Sequence, residues 1–196
     1  MVTFIVSAFE KPLTLNCCLA SLNAQKGMEI EIIVACNSRG DGVCVAHDLA
    51  AMYFEARVIH TGRMGAGDCY SAAEIVVREA RGEWLCFPSD DSYYVPTFLE
   101  RMIETATTNS WEFVYCDMLY ASRWTRGEYR VMNVQPKRGA IDKTCFMVRR
   151  DKFPDTGFPG RAGGGKACEA DGELAEYLAG TCRHGKAPGG ALVVHS

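Results

Sequence analysis

Apolar and polar residues along this chain alternate between two rhythms. A short apolar run over 2–7 reads as a strand. Over 13–24, Leu15, Cys18, Leu19 and Leu22 fall at i, i+3, i+4 and i+7, the stripe of an amphipathic helix. Residues 29–35 run into the unbroken Ile32–Ile33–Val34–Ala35, the pattern of a strand buried on both faces of a parallel sheet. A turn over 37–42 leads to a helix over 43–54, and 56–60 predicts a third strand. A third helix lies within 65–80, with Gly82 as its C-terminal stop. Residues 84–87 predict the fourth strand, 96–107 the fourth helix and 111–115 the fifth strand. Such alternation predicts an α/β fold, a doubly wound and mostly parallel sheet with right-handed crossovers.

After Cys116 the rhythm changes. Residues 129–134 and 144–148 read as strands with no long helix between them, so antiparallel strands are expected in the second half. The stretch 158–165 carries Gly160, Gly163, Gly164 and Gly165, too many for a regular element, and predicts a mobile loop. A last helix over 169–179 and a short strand over 191–195 complete the pattern. At 196 residues this is one domain with a proper core, its halves dividing near residue 116.

The chemistry concentrates where the fourth strand stops. Gly82–Glu83–Trp84–Leu85–Cys86–Phe87–Pro88 is followed at once by Ser89–Asp90–Asp91–Ser92 and then Val95–Pro96. Open α/β sheets bind ligands outside the carboxyl ends of their strands. Paired carboxylates there offer hard oxygen ligands for Mg²⁺ or Mn²⁺, ions that suit carboxylates together with substrate phosphates. Taken alone, the same pair is better explained by a turn and a helix N-cap.

Composition narrows the classes. A hydrophobic fraction of 48% and a charged fraction of 23% are those of a globular protein, and a net charge of −3 argues against a dedicated polyanion binder. The charge is uneven: residues 117–152 hold nine Lys/Arg against four Asp/Glu, a stretch able to face an anion or to form a solvated basic edge. Ten cysteines show no Cys-x-x-Cys pair and no histidine at zinc-finger spacing, so they read as reduced, and those in apolar runs (Cys36, Cys86, Cys116, Cys145) as small buried hydrophobes. The first residues show no basic leader, and no run approaches the length of a membrane span; the expectation is a cytoplasmic protein.

The residues at the strand ends disfavour several families. No Gly-x-Gly-x-x-Gly comes after the first strand and no Walker-type Gly-Lys-Ser/Thr is present. The glycines of Gly62–Arg63–Met64–Gly65–Ala66–Gly67 come after the third strand instead, and there is no Gly-x-Ser-x-Gly elbow.

The remaining segments form an ordered set. They are Thr3 to Glu10, then Leu19–Ala20–Ser21–Leu22–Asn23–Ala24–Gln25, then Glu31 to Ser38, then Ala80–Arg81–Gly82–Glu83–Trp84–Leu85 with Ser89–Asp90–Asp91 and Pro96. Gly157–Phe158, Asp171–Gly172–Glu173–Leu174 and His195 complete it. In order and spacing nearly the whole chain resembles the GT-A glycosyltransferases of the inverting family 2 type. Two positions depart from that family. Cys36–Asn37 stands where an acidic residue usually holds the base, and Ser89 replaces the first acid of the metal motif.

The resemblance implies a Rossmann-like GT-A sheet, with 1–116 handling a nucleotide-sugar donor and 117–196 an acceptor. It implies Mn²⁺ or Mg²⁺ held by Asp91 and His195, with Asp90 nearer the ribose or sugar. Ser7, Ala8 and Glu10 would cradle the nucleoside, and Asn37 or Asp68 would take the place of the missing base-binding acid. Asp171 is the candidate base for the attacking hydroxyl, and Arg161 and Lys166 would close the glycine-rich loop over the diphosphate. Tyr93, Tyr94 and Trp124 are placed to stack on a sugar or base, or simply to pack, whereas Trp84 and Tyr115 read as core and His47, His60 and His184 as structural.

The expected function is transfer of a sugar, from a UDP-sugar by preference, to an acceptor hydroxyl with inversion. The acceptor would be a glycan or, given the basic stretch, a hydroxymethylated base in DNA. A sugar nucleotidyltransferase and a non-catalytic nucleotide- or glycan-binding relative are the alternatives. The first usually carries a glycine-rich basic signature after the first strand, which Ser7–Ala8–Phe9–Glu10–Lys11–Pro12 lacks; the second draws on Cys36 and Ser89.

Overall fold

The computed structural model describes residues 1–38, 41–62, 69–121, 128–159 and 169–195. Its elements in chain order are β1 (Val2–Ala8), α1 (Pro12–Asn23), β2 (Ile30–Cys36), α2 (Asp41–Tyr53), β3 (Arg57–His60), α3 (Cys69–Val77), β4 (Trp84–Cys86), β5 (Ser92–Tyr94), α4 (Phe98–Asn109), β6 (Phe113–Tyr120), β7 (Arg130–Met132), β8 (Phe146–Arg149), α5 (Ala170–Thr181) and β9 (His184–His195). A 3₁₀ turn, Lys143–Cys145, leads directly into β8.

All nine strands join one sheet in the order β3-β2-β1-β4-β8-β6-β9-β5, with β7 beside β6. The β3-β2-β1-β4 portion is parallel, as the alternating first half predicts. Beyond it β8 runs antiparallel between β4 and β6, and β9 is parallel to β6 while β5 returns antiparallel along β9. The sheet is thus a mostly parallel α/β sheet with antiparallel additions from the second half. The fifth predicted strand, β6, is not the neighbour of β4, because β8 inserts between them.

Burial follows the sequence pattern closely in the first half. Leu15, Cys18, Leu19 and Leu22 of α1 are all fully buried, as is the β2 run Ile33–Val34–Ala35. One aromatic group, Phe4, Tyr94 and Phe98, packs under α1 and α4. A second joins Phe87, Phe146, Phe153 and Phe158, so Phe158, read as the start of a mobile loop, is a core residue. Each such ring contributes on the order of 2 kcal/mol by leaving water. Tyr94 is likewise core rather than a sugar platform: it is fully buried, and its hydroxyl donates to the Thr144 carbonyl oxygen at 2.7 Å.

Two glycines are required by close approaches, one of them against the sequence reading. Gly82 does not cap α3, which ends at Val77; a Cβ on Gly82 would lie 2.6 Å from the Thr3 nitrogen, so it permits close approach to β1. Gly157 sits at φ +76° with its would-be Cβ 2.5 Å from Glu74 Oε1, the atom that accepts from the Phe158 N–H.

The strand predicted over 191–195 is the end of a longer one. Pairing of β9 with β6 jumps from Tyr115↔Lys186 to Asp117↔Ala191, a bulge that accommodates Pro188, Gly189 and Gly190, the last two at φ +102° and +82°. Strand β9 carries His195 to the same rim as Ser92 of β5 and Tyr120 of β6.

Candidate functional site

The carboxyl ends of the parallel strands β1, β2 and β4 meet at one rim of the sheet. Pairing between β1 and the β4 segment continues past Cys86: the Ser7 N–H donates to Pro88 O at 2.9 Å and the Asp90 N–H to Ser7 O at 3.1 Å. That pairing sets Asp90 and Asp91 at the tip of β1. On the other side the Asn37 N–H donates to Ala8 O at 2.9 Å, bringing the end of β2 to the same point.

The result is a cleft of about 160 Å³ lined by Ser7, Ala8, Phe9, Lys11, Asn37, Cys69, Ser89, Asp90, Asp91 and His195. Six predicted site residues, Ser7, Ala8, Asn37, Asp90, Asp91 and His195, therefore share one cavity. Glu10 is not among its walls; it is exposed at φ +54°, and its N–H donates to Ser38 Oγ. Asp68, Trp124, Arg161 and Lys166, with the glycine-rich stretch over 160–165, lie outside the described residues.

Asp90 is buried and accepts from the Phe9 N–H at 2.7 Å. Burial pushes its carboxyl up to about 6; the Phe9 N–H opposes this and the neighbouring Asp91 charge adds to it. Asp91 pairs through Oδ2 with the Lys11 ammonium at 2.5 Å. Its other oxygen, Oδ1, is buried with no hydrogen-bond partner and lies 3.3 Å from His195 Nδ1. His195 is held by strand pairing on both sides, by a 3.1 Å contact with Ser92 Oγ and by stacking on Tyr120 at 6.0 Å. An unpartnered carboxylate oxygen beside an imidazole nitrogen is a donor set that fits a divalent ion of the Mn²⁺ or Mg²⁺ class.

Asp171 does not line the cleft; it stands in the first turn of α5, within electrostatic reach of the lining residue Cys69. Its Oδ1 is buried without a hydrogen-bond partner. Burial raises this carboxyl to about 7, Asp142 reinforces the shift, and Tyr70 and Lys143 oppose it.

Two lysines complete the site, and neither was singled out from the sequence. Lys11 opens α1 next to Pro12 and reaches Asp91. Lys143, only 3% exposed, donates to Ser89 Oγ at 3.0 Å, to Phe87 O at 3.2 Å, and to Ser7 Oγ and Pro88 O at 3.4 Å. No local signal marks Lys143: it stands between Asp142 and Thr144, and its acceptors Phe87 and Ser89 lie far away in sequence. Much of the remaining basic stretch is paired: Arg130 with Glu128, Arg138 with Glu173 and Glu176, Arg149 with Asp151 and Lys152 with Glu112.

Against known proteins, the pattern of the family described as Glycosyl transferase family 2 matches residues 3–170. A curated relative, the putative glycosyltransferase EpsH of Bacillus subtilis (strain 168), is 28% identical over 117 residues, 59% of this chain and 33% of that protein. Among solved structures, TarS 1-349 of S. aureus superposes with a TM-score of 0.75 at 16% identity, covering 100% of this chain and 60% of that one. TarS 1-349 is also known in complex with UDP and with UDP-GlcNAc. The mannosyltransferase PcManGT from Pyrobaculum calidifontis, in complex with GDP-Man and Mn²⁺, gives a TM-score of 0.70 at 15% identity, covering 99% of this chain and 56% of that one. The chain thus spans a third of the curated relative and three-fifths of the TarS chain. Among the described residues no helix is long and apolar enough to cross a membrane.

Proposed function

The chain belongs to glycosyl transferase family 2, and from that membership we propose that it transfers a sugar from a nucleotide diphosphate donor to an acceptor hydroxyl, with inversion and with a divalent ion at the donor. The observation that carries this reading is the convergence of Ser7, Ala8, Asn37, Asp90, Asp91 and His195 on one cleft at the carboxyl ends of β1, β2 and β4. A uridine diphosphate donor is favoured by the complexes of TarS 1-349, with GDP-mannose as the runner-up by analogy with PcManGT. The acceptor is a glycan hydroxyl; the DNA alternative draws little from the basic stretch, where four of the arginines and lysines already pair with acids.

In this reading residues 1–116 hold the donor and the later segments face the acceptor. The backbone at Ser7 and Ala8, with Asn37, receives the nucleoside. Asp90, with one oxygen fixed by Phe9, offers the other to a ribose or sugar hydroxyl. Asp91 and His195 would hold Mn²⁺ or Mg²⁺, and the ion, when bound, supplies Lewis-acid neutralisation of the departing diphosphate. Lys11 sets an ammonium group at the wall of the cleft, and Lys143 sets another behind Ser7 and Ser89. Asp171 takes the proton of the attacking hydroxyl. A carboxyl near 7 suits that task, because a large share of it is ionised at neutral pH while it stays basic enough to accept the proton.

The test is a donor panel of UDP- and GDP-sugars with Mn²⁺ and mixed acceptors, read by nucleoside diphosphate release and by the anomeric configuration of the product. Acceptor-dependent release with inverted product supports the reading. Pyrophosphate release from a sugar phosphate would move the chain to the nucleotidyltransferases, and binding without turnover would make it a recognition module.

A further inference from the structure

A second cluster of metal-ligating side chains lies beside the nucleoside end of the cleft, on α2 and the ends of β2 and β3. Cys36 closes β2, His60 closes β3 as its register partner, and Cys44 lies in the first half of α2. One ligand atom from each residue lies within 4.8 Å of the other two. Cys36 Sγ and Cys44 Sγ are 3.9 Å apart. A tetrahedral ion with metal–sulfur bonds of about 2.3 Å places two sulfurs about 3.8 Å apart. A disulfide would need about 2.05 Å, so the two thiols are spaced for a shared ion.

The surroundings match what such an ion requires. His60 Nε2 lies 3.0 Å from Asp48 Oδ1, a carboxylate pairing of the kind that orients metal-binding imidazoles. His47 Nδ1 lies 3.4 Å from Cys36 Sγ and 3.3 Å from Ser38 Oγ, while its Nε2 is buried with no hydrogen-bond partner. A stranded N–H costs more than a bare lone pair, so the proton belongs on Nδ1, within reach of both Cys36 Sγ and Ser38 Oγ.

We propose that Cys36, Cys44 and His60 bind a thiophilic divalent ion, Zn²⁺ in particular, with Asp48 and His47 as outer partners and water in the fourth position. Two thiolates and an imidazole select Zn²⁺ over the hard ions that suit Asp91 and His195, so this is a separate site with a separate metal. The ion ties α2 to the ends of β2 and β3 and fixes the backbone at Asn37, which lines the cleft. It accounts for Cys36 in a position where an acidic residue is otherwise expected. It does not depend on the transfer reaction.

The experiment is a Zn²⁺ titration of the chain, stripped of metal under reductant, in competition with a chromophoric chelator, with Co²⁺ as a spectroscopic stand-in. One Zn²⁺ per chain with submicromolar affinity is expected, and thiolate-to-Co²⁺ charge transfer with the intense d–d bands of a four-coordinate site. Asp48→Asn, which leaves all three ligands in place, lowers the affinity about tenfold or more. A Cys36→Ser/Cys44→Ser double variant loses the charge-transfer bands. Failure of the wild-type chain to compete for Zn²⁺, an octahedral Co²⁺ spectrum, or a Cys36–Cys44 disulfide in freshly purified protein each overturns the proposal.

Discussion

Lys143 Nζ donates to Ser89 Oγ across 3.0 Å, joining the turn before β8 to the segment after β4. The two residues explain each other. Ser89 stands where the family pattern carries its first acid, and a buried ammonium occupies the space beneath it, balanced by Asp142, Asp90 and Asp171 nearby. The positive charge at this end of the cleft is built into the chain, so Asp91 and His195 are left as the pair suited to a metal.

Lys143→Met keeps the length of the side chain and removes every one of its donors. Ser7 Oγ, Ser89 Oγ and two carbonyl oxygens then lose a buried partner, a loss of about 2–4 kcal/mol. Urea denaturation reads the stability, and calorimetry with UDP reads a weaker donor affinity. Lys143→Arg does not restore either, because the larger fork overpacks a site that is 3% exposed. Wild-type stability in Lys143→Met would show that the amine is not part of the framework.

Gly82→Ala tests the approach of residue 82 to β1. The new methyl would meet the Thr3 nitrogen and Thr3 Oγ1 at 2.6 Å, where backbone has little room to give. A loss of about 1–3 kcal/mol is expected by chemical denaturation. The 2.9 Å bond from the Gly82 N–H to Thr3 Oγ1 would go with it. A neutral substitution would return Gly82 to the role of a simple helix stop.

Much of this was legible because the first half obeys local rules. Stripes at helical spacing and continuous apolar runs are set by burial on one face or two, and α1, β1, β2 and β4 obey them within about two residues. The second half resists because its strands are defined by distant partners. β5 is three residues long and exists because β9 pairs with it; β9 itself contains Pro188, Gly189 and Gly190, which read as breaks and prove to be a bulge. The site was legible where it lies on strand ends, as at Ser7, Asp90 and Asp91. It was not legible at Lys143, which enters from a segment more than fifty residues away from its partners in the β4 turn, nor at Cys36, Cys44 and His60, whose spacing matches no linear zinc motif. The histidines read as structural thus include one proposed ligand and one outer partner.

Asp90 makes stability depend on pH in the direction opposite to an ordinary surface acid. Its folded-state carboxyl is raised to about 6, above the unfolded value of 3.8, so the fold favours the protonated form. The stabilising contribution is present below the unfolded value and is lost as pH rises through about 6. Asp90→Asn, in the absence of donor, should therefore be more stable than the wild type at pH 8, by up to about 3 kcal/mol, and should lose the advantage near pH 4. Thermal melts at both pH values decide it, and equal gains at both would assign the effect to packing.

Asp171 governs the rate in the proposed transfer. As a base it must be ionised, and burial holds its carboxyl at about 7. The pH profile of kcat/KM should rise with unit slope below about 7 and level off above it. Asp171→Asn should fall by at least 10²-fold and flatten the remaining profile. Tyr70→Phe removes a hydroxyl that favours the ionised carboxylate, so it should move the inflection upward. Full activity in Asp171→Asn would remove it from the reaction.

In the proposed donor site Asp91 and His195 hold the metal in unequal shares. Oδ1 of Asp91 is the buried oxygen without a hydrogen-bond partner, whereas His195 already has the Ser92 hydroxyl at 3.1 Å to replace any metal contact. Asp91→Asn, which keeps the shape and removes the charge, should abolish the stabilisation that Mn²⁺ and UDP together give in a thermal-shift assay. For the wild type that gain is about 2.7 kcal/mol at a hundredfold excess over Kd. His195→Ala should keep a weakened response that returns at higher Mn²⁺ concentration. Chelation with EDTA should remove transfer from the wild type and Mn²⁺ should restore it. If Asp91→Asn responds to Mn²⁺ and UDP like the wild type, the carboxylate next to Lys11 serves the ammonium rather than a metal, and Lys11 becomes the group that meets the diphosphate.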